Sequence, residues 1–176
     1  TRIEAVPTDF DARFSALSRA YRYEIAKVPQ VDPRRRGSQW WAPYSNLDVA
    51  AMNEAATILL GEHDFLSFCR PRAGATTVRT LQRLEVTDAG DHLDVNVQAD
   101  AFCHSMVRAL VGALVEVGRG ARDLNWVRTL IAQPSRDHGV PVAPARGLTL
   151  MEVTYPPPEQ WGQRAEATRR RRDAPG

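Results

Sequence analysis

The stretch Ala99-Asp100-Ala101-Phe102-Cys103-His104-Ser105-Met106-Val107-Arg108-Ala109-Leu110-Val111-Gly112 decides how the chain folds. Before it, Leu93, Val95, Val97 and Ala99 alternate with polar residues, the period-two pattern of a strand with one covered face. After it starts, Met106, Val107, Leu110, Val111, Leu114 and Val115 recur at helical spacing. The chain therefore leaves a strand, turns over Phe102 and His104, and enters a helix over about 104–117 that ends at Gly118. Arg108 interrupts the apolar face of that helix. An arginine is almost never fully buried unless paired, so it points either to solvent or toward an anion in a cleft. Its planar, always charged fork suits the second role, because it holds a carboxylate or phosphate in two parallel hydrogen bonds.

Working outward, residues 77–86 and 92–99 read as a hairpin turning at Asp88-Ala89-Gly90-Asp91. An earlier strand places Tyr21, Tyr23 and Ile25 on one face and Arg22, Glu24 and Ala26 on the other. Such a strand either faces RNA, with aromatic rings stacking on bases, or is half-buried and uses tyrosines as ordinary β-formers. Residues 29–46 are loop-like, and the run Arg34-Arg35-Arg36 there reads as a solvated turn. Asp48 caps an amphipathic helix built on Val49, Met52, Ala56, Leu59 and Leu60 that stops at Gly61. Glu62 to Phe68 is expected to be a cap-and-loop segment with Phe65 and Phe68 in the core; its histidine and acids lack a second ligand cluster, so no metal is assigned. A second helix over about 124–131 precedes Pro134, and a last strand spans 148–155.

The order β-α-β-β-α-(α)-β is the split βαβ arrangement: an α+β fold with an antiparallel sheet and helices packed on one face, as in ferredoxin-like and RNA-recognition domains. Residues 1–156 form the domain. Residues 157–176, rich in arginine and nearly devoid of apolar side chains apart from Trp161, are expected to be a disordered basic tail.

The 176 residues, 43% hydrophobic, suffice for one core. No apolar run is long enough to span a membrane, and no signal peptide opens the chain. Cys69 and Cys103 show neither metal spacing nor a disulfide framework, which favours a reducing cytoplasm. The net charge is only +2, yet of 23 basic residues Lys27 alone is lysine and 22 are arginine. Codon bias toward arginine would produce this; so would a phosphate-bearing partner met by Arg13, Arg19 and Arg22 or by Arg70, Arg72, Arg79 and Arg83.

Four segments together resemble the C-terminal half of the catalytic domain in the tRNA pseudouridine synthase A family. They are Ala12-Arg13-Phe14-Ser15-Ala16 with Tyr21-Arg22-Tyr23; Leu60-Gly61-Glu62-His63-Asp64-Phe65-Leu66-Ser67-Phe68; Ala101 to Arg108 with Gly112; and Gly147-Leu148 before Tyr155-Pro156. The resemblance implies an isomerase that detaches a uracil from its ribose in the anticodon stem-loop of tRNA, turns it, and rejoins it through carbon. It implies no metal or organic cofactor, because an aspartate does the chemistry, and a family that is usually a homodimer. By the match, Tyr21 stacks on the flipped base, Arg108 pairs with the catalytic aspartate, and Leu148 lines the pocket as an apolar wall. By location, His104, Arg13, Arg70 and Arg79 meet phosphate or shape the entry, or lie plainly on the surface.

The resemblance also has a gap. The family's nucleophile lies in a Gly-Arg-Thr-Asp-Ala-Gly-type segment upstream of the Arg-Phe-Ser-Ala segment, and nothing before Arg13 matches it. Thr87-Asp88-Ala89-Gly90 looks similar, but Val86 stands where the arginine belongs, and a hairpin turn explains the residues. The chain, which opens on Thr1, is therefore expected to be a truncated piece holding half of an active site, inactive alone and with an exposed sheet edge. The alternative is a non-catalytic RNA-binding module of the RNA-recognition type, although its aromatic run is missing from the 77–100 hairpin.

Overall fold

The computed structural model describes residues 3, 5–27, 33–42, 44, 46–72 and 74–173. In chain order the elements are β1 (Ser18–Ala26), β2 (Trp40–Trp41), α1 (Val49–Ile58), β3 (Gly61–Asp64), β4 (Val78–Asp88), β5 (His92–Ala99), α2 (Met106–Gly118), α3 (Leu124–Ala132), β6 (Leu148–Thr154) and α4 (Trp161–Asp173). The sheet runs β2-β1-β5-β4-β3, with β6 pairing β1 as well. Strand β5 is antiparallel to both β1 and β4. So β1 and β4, the strands on either side of α1, run parallel with β5 between them, which is the split βαβ unit. The α+β architecture is as the sequence predicts.

The alternation in β5 sets the layering. Leu93, Val95, Val97 and Ala99 are buried, while His92, Asp94, Asn96 and Gln98 on the other face are half-buried. Against the covered face lies α2, in which every residue except Arg108 and Glu116 is buried. A helix apolar on nearly all sides belongs inside a core. Leu110 and Leu114 are fully buried there, each contributing about 1.5–3 kcal/mol by leaving water. Helix α1 starts where its cap predicts: the Asp48 carboxylate accepts from the Ala51 amide at 3.0 Å.

Four local expectations are corrected. Residues 61–64 form an edge strand, β3, paired antiparallel with β4 from Gly61↔Leu81 to Asp64↔Val78, where a loop was expected. The segment is short and polar, so its pairing comes from β4 rather than from its own pattern. Trp40 and Trp41, expected in a loop, pair in parallel with Ile25 and Ala26. Helix α2 begins at Met106 rather than His104, because Ser105 takes a left-handed φ of 69° that closes the preceding turn.

The fourth concerns the tail, which forms α4 over Trp161–Asp173 instead of being disordered. Its anchors are distant in sequence. The Trp161 ring packs tilted against that of Phe10 with centroids 4.7 Å apart, the Trp161 carbonyl accepts from the Ser15 hydroxyl at 3.0 Å, and Arg169 pairs with Asp11 at 2.7 Å.

Candidate functional site

At the end of β5 the chain turns through Asp100 and Phe102 and delivers α2. The Asp100 carboxylate accepts the amides of Thr80 at 3.0 Å and Ala101 at 2.7 Å, which fixes that turn. The turn, β1 and the start of β6 enclose a cavity of about 280 Å³ whose lining includes Tyr21, Phe102, His104, Arg108, Ala145 and Leu148. Tyr21, Arg108 and Leu148 thus meet in one cavity although they are separated by up to 127 positions in sequence.

Each of the three is held in place. Tyr21 meets the edge of Phe102 with ring centroids 5.2 Å apart and the planes at 84°. Leu148 opens β6 in register with Tyr23. Arg108, half-buried, donates from Nε to the Ala143 carbonyl, and its own carbonyl accepts from the Ala143 amide at 3.1 Å. The sequence left Arg108 open between solvent and a cleft, and the structure places it in the cleft.

The loop that receives Arg108 is itself clamped. A Cβ on Gly112 would lie 2.0 Å from the Pro141 carbonyl oxygen, and one on Gly147 would lie 2.5 Å from Cζ of Tyr23. Only glycine lets α2 and β1 approach the loop that closely. Tyr23, fully buried, donates from its hydroxyl to the Pro144 carbonyl at 2.7 Å. Burial raises its phenol well above the usual value, against the lowering pull of the Arg108 and Arg146 charges. It stays neutral and acts as a strut. Sequence reading paired Tyr23 with Tyr21 on one face but had no signal for this role, because the partner is a backbone carbonyl 121 residues away.

A second cavity, of about 270 Å³, shares Tyr21, Phe102 and His104 with the first and is lined as well by Arg13, Arg70 and Arg79. Arg13, Arg70 and His104 are exposed, and the Arg70 amide donates to the His104 carbonyl at 2.9 Å. Arg79 differs, being only 6% exposed, with its guanidinium donating to the Val78 carbonyl. Arg72, which the composition reading grouped with Arg70 and Arg79, lines this cavity too.

Cys69 and Cys103 are joined as a disulfide that ties the end of the turn after Phe68 to the segment before α2. This corrects the expectation that the two cysteines make no disulfide framework. Thirty-four positions separate them, and only the pairing of the two segments brings their Cα atoms to 5.6 Å.

Asp88 lies at the hairpin tip, where Lys27 Nζ pairs with it at 2.6 Å. Its level on β5 is Leu93, six residues from Ala99, so roughly 20 Å of strand separates it from the cavity. Arg35 is at the same end, paired with Asp91 at 3.2 Å. Among the described residues no Asp or Glu lines either cavity. Among the described residues no group of His, Cys, Asp and Glu is placed to hold a metal ion, and no helix is long and apolar enough to cross a membrane.

Comparison with known proteins adds an independent line. A family model described as tRNA pseudouridine synthase matches residues 55–156. A protein of Frankia casuarinae named tRNA pseudouridine synthase A is 54% identical over 93% of this chain and 60% of its own length. Proteins of the same name from Streptomyces griseus and Mycobacterium leprae are 49% and 45% identical, over 99% and 95% of this chain and 62% and 58% of theirs. The chain spans about three fifths of the length of the curated relatives it matches.

Proposed function

Because the chain belongs to the tRNA pseudouridine synthase family, we propose that it supplies the base-stacking and cationic half of a site that isomerises uridine to pseudouridine in the anticodon stem-loop of tRNA. One observation carries this reading: Tyr21, Arg108 and Leu148 converge on one cavity that opens into a second lined by Arg13, Arg70, Arg72 and Arg79. The target nucleotide has to leave its stack to reach such a pocket. Tyr21 offers the flipped base an aromatic face, Leu148 an apolar wall, and the exposed Arg13, Arg70 and Arg72 neutralise the flanking phosphates.

The reaction breaks the bond from ribose C1′ to N1 of uracil and forms one from C1′ to C5. The C5 proton is lost and N1 gains one, so no redox cofactor is required. An ionised carboxylate must attack, either at the sugar or at the base, and the described residues of the cavity lining include none. That carboxylate is supplied by a segment corresponding to the part of the relatives this chain does not match. Arg108, anchored through Nε, has its terminal nitrogens left to receive the carboxylate; such a partner lowers a carboxyl pKa by about 1–3 units.

A cavity without Asp or Glu among its described lining residues also favours a second reading, a chain that binds RNA without catalysis. Tritium release from an anticodon stem-loop carrying uridine labelled at C5 separates the two. The chain alone is expected to release none, as is Asp88→Asn. Co-expressed with the remaining two fifths of the Frankia relative, it is expected to release tritium, and Tyr21→Leu to abolish turnover while largely sparing RNA affinity. Release by the chain alone that vanishes in Asp88→Asn would place the nucleophile at the hairpin tip. Equal losses of turnover and affinity in Tyr21→Leu would overturn its assignment.

A further inference from the structure

The two cavities are part of a longer row. The second shares Thr76 and Arg79 with a third, of about 160 Å³, that lies beneath α4 and is closed by Arg164, Ala167 and Thr168. Among the described residues the three linings contain Arg13, Arg70, Arg72, Arg79, Arg108 and Arg164 against a single carboxylate, Asp100. One oxygen of that carboxylate is already taken up by the Thr80 and Ala101 amides. A cationic row of this kind, starting at a pocket for a base, follows the path of a nucleic-acid backbone.

Helix α4 presents two unsatisfied groups to the far end of the row. Arg164 Nε and Thr168 Oγ1 are buried and have no hydrogen-bond partner, and they sit one turn apart on the same helix face. Buried polar atoms are nearly always paired, so two orphans on residues that line one cavity point to a ligand with acceptor oxygens seated against this face. The helix is firmly placed. Ala165 is 1% exposed, and Gly162 packs so closely on Asp9 that a Cβ would lie 2.0 Å from the carboxylate oxygen. It also lies outside residues 55–156, the span matched by the family model.

We infer that α4 is a phosphate-binding element, in which Arg164 and Thr168 hold one phosphodiester of the RNA strand whose target nucleotide enters the first cavity. This rests on the proposed RNA substrate. The strand leaves the base pocket, passes Arg70 and Arg72, and crosses Thr76, which the second and third cavities share, before reaching α4. Arg164 supplies charge and a directed N–H, and Thr168 a hydroxyl donor.

The test is binding of the 176-residue chain to a labelled anticodon stem-loop RNA across a series of salt concentrations. Arg164→Gln is expected to weaken binding about fivefold to tenfold near 0.1 M salt and to lower the slope of log K against log salt by about 0.7–0.9, the loss of one phosphate contact. Arg164→Lys is expected to restore the slope, and Thr168→Val to weaken binding without altering it. Arg128→Gln, the same charge change on α3 outside all three cavities, is expected to have no effect. Near-ultraviolet circular dichroism from Trp161 reports whether α4 remains docked. If Arg72→Gln weakens binding but Arg164→Gln behaves like Arg128→Gln, α4 holds no phosphate and the RNA-binding reading survives. Equal losses in Arg164→Lys and Arg164→Gln would make the residue structural and overturn the inference. Absence of salt-dependent binding by the unaltered chain would overturn both the inference and the RNA substrate.

Discussion

Arg108 and Ala143 are joined twice, the Ala143 amide donating to the Arg108 carbonyl at 3.1 Å and Arg108 Nε donating back to the Ala143 carbonyl. The side chain is therefore anchored at Nε, which leaves the two terminal nitrogens to work in the cavity. Lysine has no counterpart to this division, since its single ammonium has no planar fork. Arg108→Lys is expected to cost about 1–2 kcal/mol of stability, from one buried charged hydrogen bond. Turnover in the co-expressed enzyme is expected to fall at least a hundredfold, the scale for losing one positioned donor. Urea unfolding and single-turnover tritium release measure the two effects separately.

The same loop is approached from two sides, by Gly112 on α2 and by Gly147 facing Tyr23. Gly112→Ala and Gly147→Ala are each expected to destabilise by about 1–3 kcal/mol, because each Cβ meets backbone or a buried ring. One outward shift of residues 140–147 would relieve both clashes. The double variant is thus expected to be less destabilised than the sum of the single variants, which a double-mutant cycle on urea unfolding would reveal. Full additivity would mean that the two contacts yield independently.

Asp11 connects the N-terminal segment to α4. Its carboxylate accepts the Phe14 amide at 2.9 Å and the Arg13 amide at 2.8 Å, and pairs with Arg169 at 2.7 Å. The Phe14 amide is the main cause of a pKa held below the usual carboxylate value, partly opposed by desolvation. A depressed folded-state pKa contributes stability above the unfolded value, near 3.9, that is lost as pH falls through the folded value. Trp161 fluorescence, read in a background with Trp40, Trp41 and Trp126 replaced by Phe, is therefore expected to be constant above about pH 5 and to change below about pH 4. Asp11→Asn is expected to remove that acid transition, since an amide cannot titrate.

How much of this was legible in the sequence depends on the range of the interactions involved. The strand pattern of Leu93 to Ala99, the Asp48 cap and the apolar face of α2 are local, and each predicted its element. The arginine in α2 was visible as an anomaly, but its direction was decided by Ala143, 35 residues away. The pairing of β3, the docking of α4 on Phe10 and Asp11, and the Cys69–Cys103 link all depend on partners supplied by the tertiary fold. Periodicity has no access to such partners. The orphaned Arg164 and Thr168 were hidden for the same reason: composition marked the tail as polar and charged, and said nothing of the surface it covers.

Strand β6 is the weakest boundary of the sheet. Among the described residues it pairs only with β1, leaving the backbone groups on its other side without a strand. Leu150 and Met151, at the bulge where Ala20 pairs with Glu152 and Tyr21 with Leu150, are 51% and 52% exposed. An open edge flanked by exposed large apolar side chains is a template for another strand. The chain is expected to self-associate as its concentration rises, with sedimentation velocity detecting the shift. Leu150→Lys should move the equilibrium toward monomer, because a lysine there would have to be desolvated in any edge-to-edge contact. Co-expression with the remaining part of a relative should suppress association of the unaltered chain if that part covers the same edge. A chain that stays monomeric at its highest attainable concentration would mean that the edge is already protected by its own twist.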